Sequence, residues 1–143
     1  MATNISRVGA YVPNFTPDNT GRTILQSYQP ITATAGTVNL VPNSQINYFN
    51  LTNTVSGAMT INVAATYSAI ADNGYGQTVN YYNQICDEIA IFLNGGASAQ
   101  TITYGLNIAG STGTFSTGVN TPTLIRGHFN GTEWIVSQTT ATK

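Results

Sequence analysis

The sequence predicts an all-β domain, and three observations support this. Short apolar segments alternate with polar residues at the period of two expected of a strand with one buried face, most clearly in residues 58–64, AMTINVA. Residues 124–136 carry Asn130-Gly131 between two such segments, which is a strong signal for a β-hairpin. No segment keeps a helical period for more than about one turn. Turn residues recur at the short spacing that sandwiches and barrels share.

The register of this last hairpin follows if its loop consists of Asn130 and Gly131 alone, in a type I′ turn with positive φ at both residues. The opposed pairs are then Phe129 and Thr132, His128 and Glu133, Gly127 and Trp134, and Ile125 and Val136. We expect Trp134 to fill the gap left by the missing side chain of Gly127. The opposite, partly wet face carries Arg126, His128, Glu133 and Ile135.

Earlier strands are predicted at residues 36–41, 46–51 and 58–64. In the second of these, Phe49 shares a face with Asn47 and Leu51, and in the third, Ile61 faces inward. The most apolar segment is residues 85–93, ICDEIAIFL, which we expect to be a central strand that contains Cys86 as a buried side chain. Residues 100–106 are expected to pair with it as a hairpin. The predicted core contains Phe49, Ile61, Ile89, Ile91, Phe129 and Trp134.

Residues 1–30 do not resemble core, because their apolar residues show no period and three prolines interrupt them. The segment is nevertheless too rich in apolar and aromatic side chains for a solvated linker. We interpret it as an extended N-terminal arm that orders against another chain. The alternatives are an arm packed on its own domain or an early edge strand near residues 23–27. The expected partner-binding residues of the arm are Arg7, Tyr11, Phe15, Arg22 and Tyr28.

Residues 31–138 then form the β domain, and residues 139–143 form a polar tail. The loop at residues 65–84 interrupts the rhythm of strands and is rich in tyrosine. Long loops in compact domains are often functional, and tyrosine with Asn and Gly is typical of contact surfaces. We therefore predict a second partner-binding surface, for protein or sugar, at Tyr67, Tyr75, Tyr81 and Tyr82. Alternatively, some of these rings cap an open end of the β core.

Composition argues against several classes of function. The chain has 143 residues, which favours one domain, and only 6% of them are charged, against about 25% in typical domains. Four Lys and Arg residues cannot form the basic stripe that nucleic acid requires. We also expect no signal peptide, no membrane span and, with Cys86 as the single cysteine, no internal disulfide.

Catalytic machinery is not visible either. One His and one Cys do not make an ordinary zinc or redox site. His128 is the only candidate for a catalytic triad, and a cross-strand pair with Glu133 is the simpler interpretation. Asp87 and Glu88 point to opposite faces of one strand, so they do not form an acid–base pair. We therefore predict no enzyme activity, no cofactor and no metal.

The order of motifs resembles a β-module that recurs in virion proteins of tailed bacteriophages, both in head decoration (cement) proteins and in fibre or tail proteins. The motifs that carry this resemblance are GTVNL, NYFNL, TINVA, CDEIAIFL, TITYG, PTL and FNGTEW, in that order along residues 31–137. The tyrosine-rich stretch at residues 65–84 departs from the short loop usual in the module. The resemblance implies an antiparallel β-sandwich, jelly-roll-like, which commonly forms a homotrimer and has no catalytic activity.

The module fills nearly the whole chain after the arm, which suits a decoration protein better than one part of a long fibre. The expectation is a capsid cement protein, made in the host cytoplasm and located on the virion surface. It would bind the major capsid protein and neighbouring copies of itself, bridging capsid subunits and stabilising the head. The alternative is a receptor- or glycan-binding module of a phage fibre or tail protein, in which loop tyrosines stack on sugars.

Overall fold

The computed structural model describes residues 16–17, 23–24, 26–64, 71–72, 78–79 and 83–141. In these ranges the chain forms strands and turns and no helix, which confirms the all-β prediction. In chain order the strands are β1 Thr16–Pro17, β2 Thr23–Ile24, β3 Gln26–Ile31, β4 Gly36–Leu40, β5 Ile46–Val55, β6 Met59–Val63, β7 Ala71–Asp72, β8 Thr78–Val79, β9 Glu88–Gly95, β10 Thr101–Tyr104, β11 Ile108–Gly110, β12 Thr114–Ser116, β13 Pro122–Phe129 and β14 Trp134–Thr140.

Ten of these strands form two sheets. The six-stranded sheet has the order β11-β14-β13-β9-β5-β3, and the four-stranded sheet has the order β12-β10-β6-β4. The remaining strands form two short pairs, β1 with β2 and β7 with β8. From β3 to β6 and again from β9 to β13, the chain passes from one large sheet to the other with each strand.

This alternation makes many neighbouring strands parallel. Two strands that are adjacent in a sheet are often separated along the chain by one strand of the other sheet, so both run in the same direction. The parallel pairs are β3–β5, β5–β9, β4–β6, β6–β10 and β11–β14. Both sheets are therefore mixed, and the expected antiparallel arrangement is not confirmed.

The predicted hairpin between residues 85–93 and 100–106 is wrong for the same reason. β9 lies between β5 and β13 in the six-stranded sheet, so neither of its edges is free for β10. β10 lies in the four-stranded sheet instead, where it pairs with β6 and β12. Apolar alternation predicted both strands but not which strand each would pair with.

One hydrophobic cluster contains buried side chains from both sheets. The four-stranded sheet contributes, for example, Val38 and Ile102, and the six-stranded sheet contributes Leu51 and Ile125. The six side chains predicted for the core, Phe49, Ile61, Ile89, Ile91, Phe129 and Trp134, are all buried in this cluster. The Phe129 and Trp134 rings pack against each other, with 5.3 Å between their centroids.

The β13–β14 hairpin has a four-residue loop, residues 130–133, so the predicted register is wrong. Phe129 lies opposite Trp134, and His128 lies opposite Ile135 rather than Glu133. The side chain of Asn130 explains the difference, because its Oδ1 accepts the backbone N–H groups of Thr132 and Glu133, each at 2.8 Å. Such an Asx turn needs no positive φ at the asparagine, and here φ is positive only at Gly131.

The gap at Gly127 is filled by backbone rather than by Trp134. Gly127 lies opposite Val136, and a Cβ at this position would overlap the carbonyl oxygen of Ile135. A glycine inside a strand often marks such a close approach of another backbone. Any side chain at residue 127 would therefore push β14 away from β13.

The start of β9 also differs from the prediction. Residues 84–87 form a turn before the strand, in which Cys86 has a φ of 75° and an exposed side chain, and Ile85 is 70% exposed. The prediction of a buried Cys86 is therefore wrong. Asp87 is buried instead, and burial raises the pKa of its carboxyl above the usual value, an effect that the hydrogen bond from the Gln84 N–H partly offsets.

At the N-terminal side, β3 is an edge strand of the six-stranded sheet and pairs in parallel with β5. The predicted boundary between arm and domain, after residue 30, falls inside β3, and the boundary after residue 138 falls inside β14. Of the expected arm contacts, Tyr28 lies in β3, whereas Arg7, Tyr11, Phe15 and Arg22 lie outside the described residues.

Tyr104 gives the fold a measurable dependence on alkaline pH. Its side chain is buried in β10, where its hydroxyl donates to Gln138 Oε1 at 2.9 Å, and burial raises its pKa to about 12 from the usual 10.0. Between these values the unfolded chain loses the phenolic proton and the folded chain keeps it, so stability falls as the pH rises. We expect Tyr104→Phe to reduce the fall in the urea midpoint between pH 10 and pH 12. An identical pH profile in the variant and the wild type would contradict this.

Candidate binding groove

The outer face of the six-stranded sheet is its side away from the shared core, and the register of the strands arranges its residues in rows. One row runs across the sheet as Gln26, Ile46, Glu88, His128 and Ile135. The next row is Tyr28, Tyr48, Ala90, Arg126 and Ser137. Two adjacent rows of a sheet lie within reach of the same small ligand.

A groove of about 450 Å³ lies over these two rows, and we call it the outer groove. Ala90 lies in the middle of the second row, between Tyr48 and Arg126. Ala90 is buried although it belongs to the outer face, because its side chain is short and those of Tyr48 and Arg126 on either side are long. The volume is in the range of about 300–1,000 Å³ that is usual for small-molecule sites.

The groove contains one acidic, one guanidinium and one imidazole side chain, namely Glu88, Arg126 and His128. Glu88 and His128 lie directly opposite each other on β9 and β13, and Arg126 is one row away. His128 Nδ1 lies 3.4 Å from the carbonyl oxygen of Cys86. Among the described residues we find no hydrogen-bond or ion-pair partner for the guanidinium of Arg126, so its five donors are available to a ligand.

Aromatic and aliphatic side chains surround these three polar side chains. Tyr48 and Ile46 line one side of the groove, and Ile135, which is 47% exposed, lines the other. Tyr28 is 54% exposed on β3, and its hydroxyl oxygen accepts a hydrogen bond from Asn50 Nδ2 at 3.0 Å. The outer groove therefore combines flat apolar surface with hydrogen-bonding groups, which is typical of binding sites.

Asn47 holds the strands behind the groove in place. It is fully buried on the core side of β5, and its Nδ2 donates to the carbonyl oxygens of Ser44 at 2.7 Å and Glu88 at 3.1 Å. Its Oδ1 accepts from the N–H groups of Asn43 at 2.8 Å and Ser44 at 3.0 Å, and from Ser27 Oγ at 3.3 Å. The amide thus ties β3, β5 and the first residue of β9 together.

The predicted loop contacts are not part of this arrangement. Tyr67, Tyr75, Tyr81 and Tyr82 lie outside the described residues. The sequence did indicate a mixed outer surface at Arg126, His128 and Ile135, but it gave no reason to place Tyr48 or Ala90 beside them. The alternation of residues 46–51 could have indicated the side of Tyr48, whereas its neighbours depend on the parallel pairing of β5 with β9.

Comparison of the chain with protein-family models, with curated proteins and with solved structures found no match in any of the three. In the described ranges, no three His, Cys, Asp or Glu side chains are grouped so that they could hold a metal ion. The same ranges contain no helix of the length and apolarity needed to cross a membrane. The outer groove is a candidate site in the part of the chain that the structure describes.

Proposed function

We propose that the protein is a structural virion protein, a capsid decoration or cement protein of a tailed bacteriophage. It would be a jelly-roll-like β-sandwich that forms homotrimers on the head surface. The observation that carries the proposal is the composition of the outer face. On that face, Tyr28, Phe92 and Ile135 are 54%, 41% and 47% exposed. They lie near Arg126, the one arginine of the face, which is also exposed.

This composition supports a contact surface for another protein. The central parts of protein interfaces are enriched in aromatic residues and arginine and depleted in lysine and acidic residues. A surface with few charges is poorly suited to stay in water by itself. Such a surface gains stability when a neighbouring subunit covers it.

In this role the protein would bury apolar and amide surface across the seams between capsid subunits. Covering these seams opposes the outward pressure of the packaged DNA. Many copies act on one shell, and a trimer offers three linked contacts, so each contact can be weak. The N-terminal arm, with Arg7, Tyr11 and Phe15, would extend the contact to a neighbouring copy or to the major capsid protein.

Removing the first half of the arm should separate binding from folding. Because β1, β2 and β3 begin at Thr16, Thr23 and Gln26, the deletion should end before the first of them and remove residues 2–15. We expect the shortened protein to melt at the temperature of the full chain but to lose binding to phage heads purified without it, measured by co-sedimentation. Unchanged occupancy would contradict the role of the arm, and no binding by the full chain would reject the proposed function.

A second candidate function is favoured by the outer groove itself. A receptor- or glycan-binding module of a fibre or tail protein would use Tyr48 to pack against a sugar ring. Arg126 and Glu88 supply donors and acceptors for the sugar hydroxyls. The guanidinium of Arg126, which has no hydrogen-bond or ion-pair partner among the described residues, is the observation that supports this alternative.

A glycan array distinguishes the two functions. If the groove binds sugar, the protein should show saturable binding, and Arg126→Ala should weaken it by roughly tenfold or more, because a hydrogen bond from a charged group contributes about 1.5–3 kcal/mol. Leu106→Ala is a suitable control, since Leu106 is 69% exposed and lies after β10, outside the groove. Absence of saturable binding to any glycan, together with co-sedimentation with heads, would favour the decoration protein.

A further inference from the structure

The chain contains three Asn-Gly dipeptides, and the structure describes two of them in contrasting surroundings. Asn94-Gly95 lies in β9, whereas Asn130-Gly131 lies in the loop between β13 and β14. The third, at residues 73–74, is outside the described ranges. Asparagine followed by glycine is the dipeptide most prone to lose ammonia spontaneously, because glycine has no side chain to hinder its own backbone nitrogen.

The surroundings of Asn130 favour this reaction. Asn130 and Gly131 are both exposed, and no backbone carbonyl of the described residues accepts a hydrogen bond from the Gly131 N–H. The side-chain oxygen of Asn130 accepts the N–H groups of Thr132 and Glu133, each at 2.8 Å. Two N–H donors on a carbonyl oxygen stabilise negative charge that develops on that oxygen, as in an oxyanion hole.

We propose that Asn130 is a site of spontaneous deamidation in the folded protein. The backbone nitrogen of Gly131 attacks Cγ of Asn130, and the electron pair of the C=O bond moves to Oδ1, where the two N–H groups hold it. Collapse of this intermediate forms a succinimide, as the Cγ–Nδ2 bond breaks and ammonia leaves with the proton from Gly131. Water then opens the ring at either carbonyl carbon, which gives an aspartyl or an isoaspartyl residue.

Asn94 provides a control within the same chain. Its glycine is held in the sheet, because the Gly95 N–H donates to the carbonyl oxygen of Thr121 at 2.9 Å. A Cβ at Gly95 would overlap the carbonyl oxygen of Gly118, so this stretch of backbone is closely packed. The nitrogen of Gly95 can attack only after β9 has opened locally, which makes reaction there much slower.

Deamidation would change the hairpin in two ways. It adds a carboxylate beside Glu133, in a chain whose formal net charge is −1. The isoaspartyl product also lengthens the backbone by one methylene within the loop that joins β13 to β14. Both changes fall two residues from His128 of the outer groove.

Two digests make the test specific. Tryptic residues 127–143 contain Asn130 as their one asparagine, and chymotryptic residues 93–104 contain Asn94 as theirs. The folded protein is incubated at neutral pH, sampled over time and digested, with an unincubated sample as the blank. Tandem mass spectrometry then locates the mass gain that marks the change from amide to acid. A parallel incubation in urea measures the deamidation rates of Asn94 and Asn130 in the unfolded chain.

We expect Asn130 in the folded protein to convert faster than Asn94 by at least about tenfold, because β9 reacts only from locally opened molecules. The peptide of residues 127–143 should yield two products of equal mass, aspartyl and isoaspartyl. In urea the two asparagines should react at similar rates. The proposal is overturned if folded Asn130 stays intact while it reacts in urea, or if Asn94 converts as fast as Asn130 in the folded chain.

Discussion

Replacing Asn47 with alanine should lower the free energy of unfolding by about 3 to 5 kcal/mol, because each buried donor or acceptor left without a partner costs roughly 1–3 kcal/mol. The change removes the partner of five groups, on Ser27, Asn43, Ser44 and Glu88. Water that enters the space left by the amide should keep the loss below the sum of these terms. Urea unfolding followed by the fluorescence of the single tryptophan, which is fully buried, measures the effect.

Asn53→Ala is the matched control. Asn53 lies on the same strand, β5, but it is exposed, and its Nδ2 makes a single bond to the carbonyl oxygen of Thr32 at 2.8 Å. We expect this variant to lose about 1 kcal/mol or less, since the groups that it frees can bond to water. Equal losses for the two variants would show that the buried amide does not hold β3, β5 and β9 together.

Trp134→Ala should be comparably severe, with a loss of about 3–5 kcal/mol, as is usual when a large core side chain is truncated. Trp134 has no exposed surface, packs on Phe129 and donates from Nε1 to the carbonyl oxygen of Ala64 at 3.3 Å. Its removal leaves a cavity inside the cluster that both sheets share. Because the variant lacks the fluorescent probe, urea unfolding should be followed by circular dichroism.

Ile135→Ala tests why Trp134→Ala lowers the free energy of unfolding. The cause is either lost core packing or a lower β-strand propensity in β14. Ile135 is the next residue of the same strand, but it faces the outer groove and is 47% exposed. Its truncation should cost about 1 kcal/mol or less, because little buried surface is lost. A loss at residue 135 that matched the loss at residue 134 would mean that side-chain propensity in β14, and not core packing, determines stability.

The final hairpin shows how a prediction can fail in register and still place the core correctly. Relative to the prediction, β14 is displaced by two residues along β13. Side chains alternate with a period of two, so a shift of two leaves every residue on its original face. Phe129, Trp134 and Val136 are therefore buried as the alternation of the sequence indicated, although each has a different partner.

Strand pairing could not be read from the same alternation. The residues of β9 and β10 indicate that each is a strand, but they do not specify that the chain crosses between sheets after Gly95. The prediction for Cys86 was wrong because Ile85 and Cys86 are apolar, so the predicted strand began at residue 85 although these residues lie in a turn before β9. In that turn, the Asp87 N–H donates to the carbonyl oxygen of Gln84, three residues earlier, at 2.9 Å.

The candidate site was predictable in part. Arg126, His128 and Ile135 were correctly grouped on one face, because they share a hairpin and local alternation is sufficient. Tyr48 and Glu88 join them only through the parallel pairing of β5 with β9, which links residues that are far apart in sequence. A site whose residues lie on several strands can be predicted only when the order of the strands in the sheet is known.

The position of β13 has a consequence for the synthesis of the protein. β13 lies between β9 and β14, so the six-stranded sheet cannot form until these late segments have left the ribosome. Before then, a nascent chain exposes the apolar side chains of β5 and β9 without the strands that complete their sheet. Such surfaces bind to one another during translation, so we expect efficient production to depend on chaperones or on slow synthesis at low temperature.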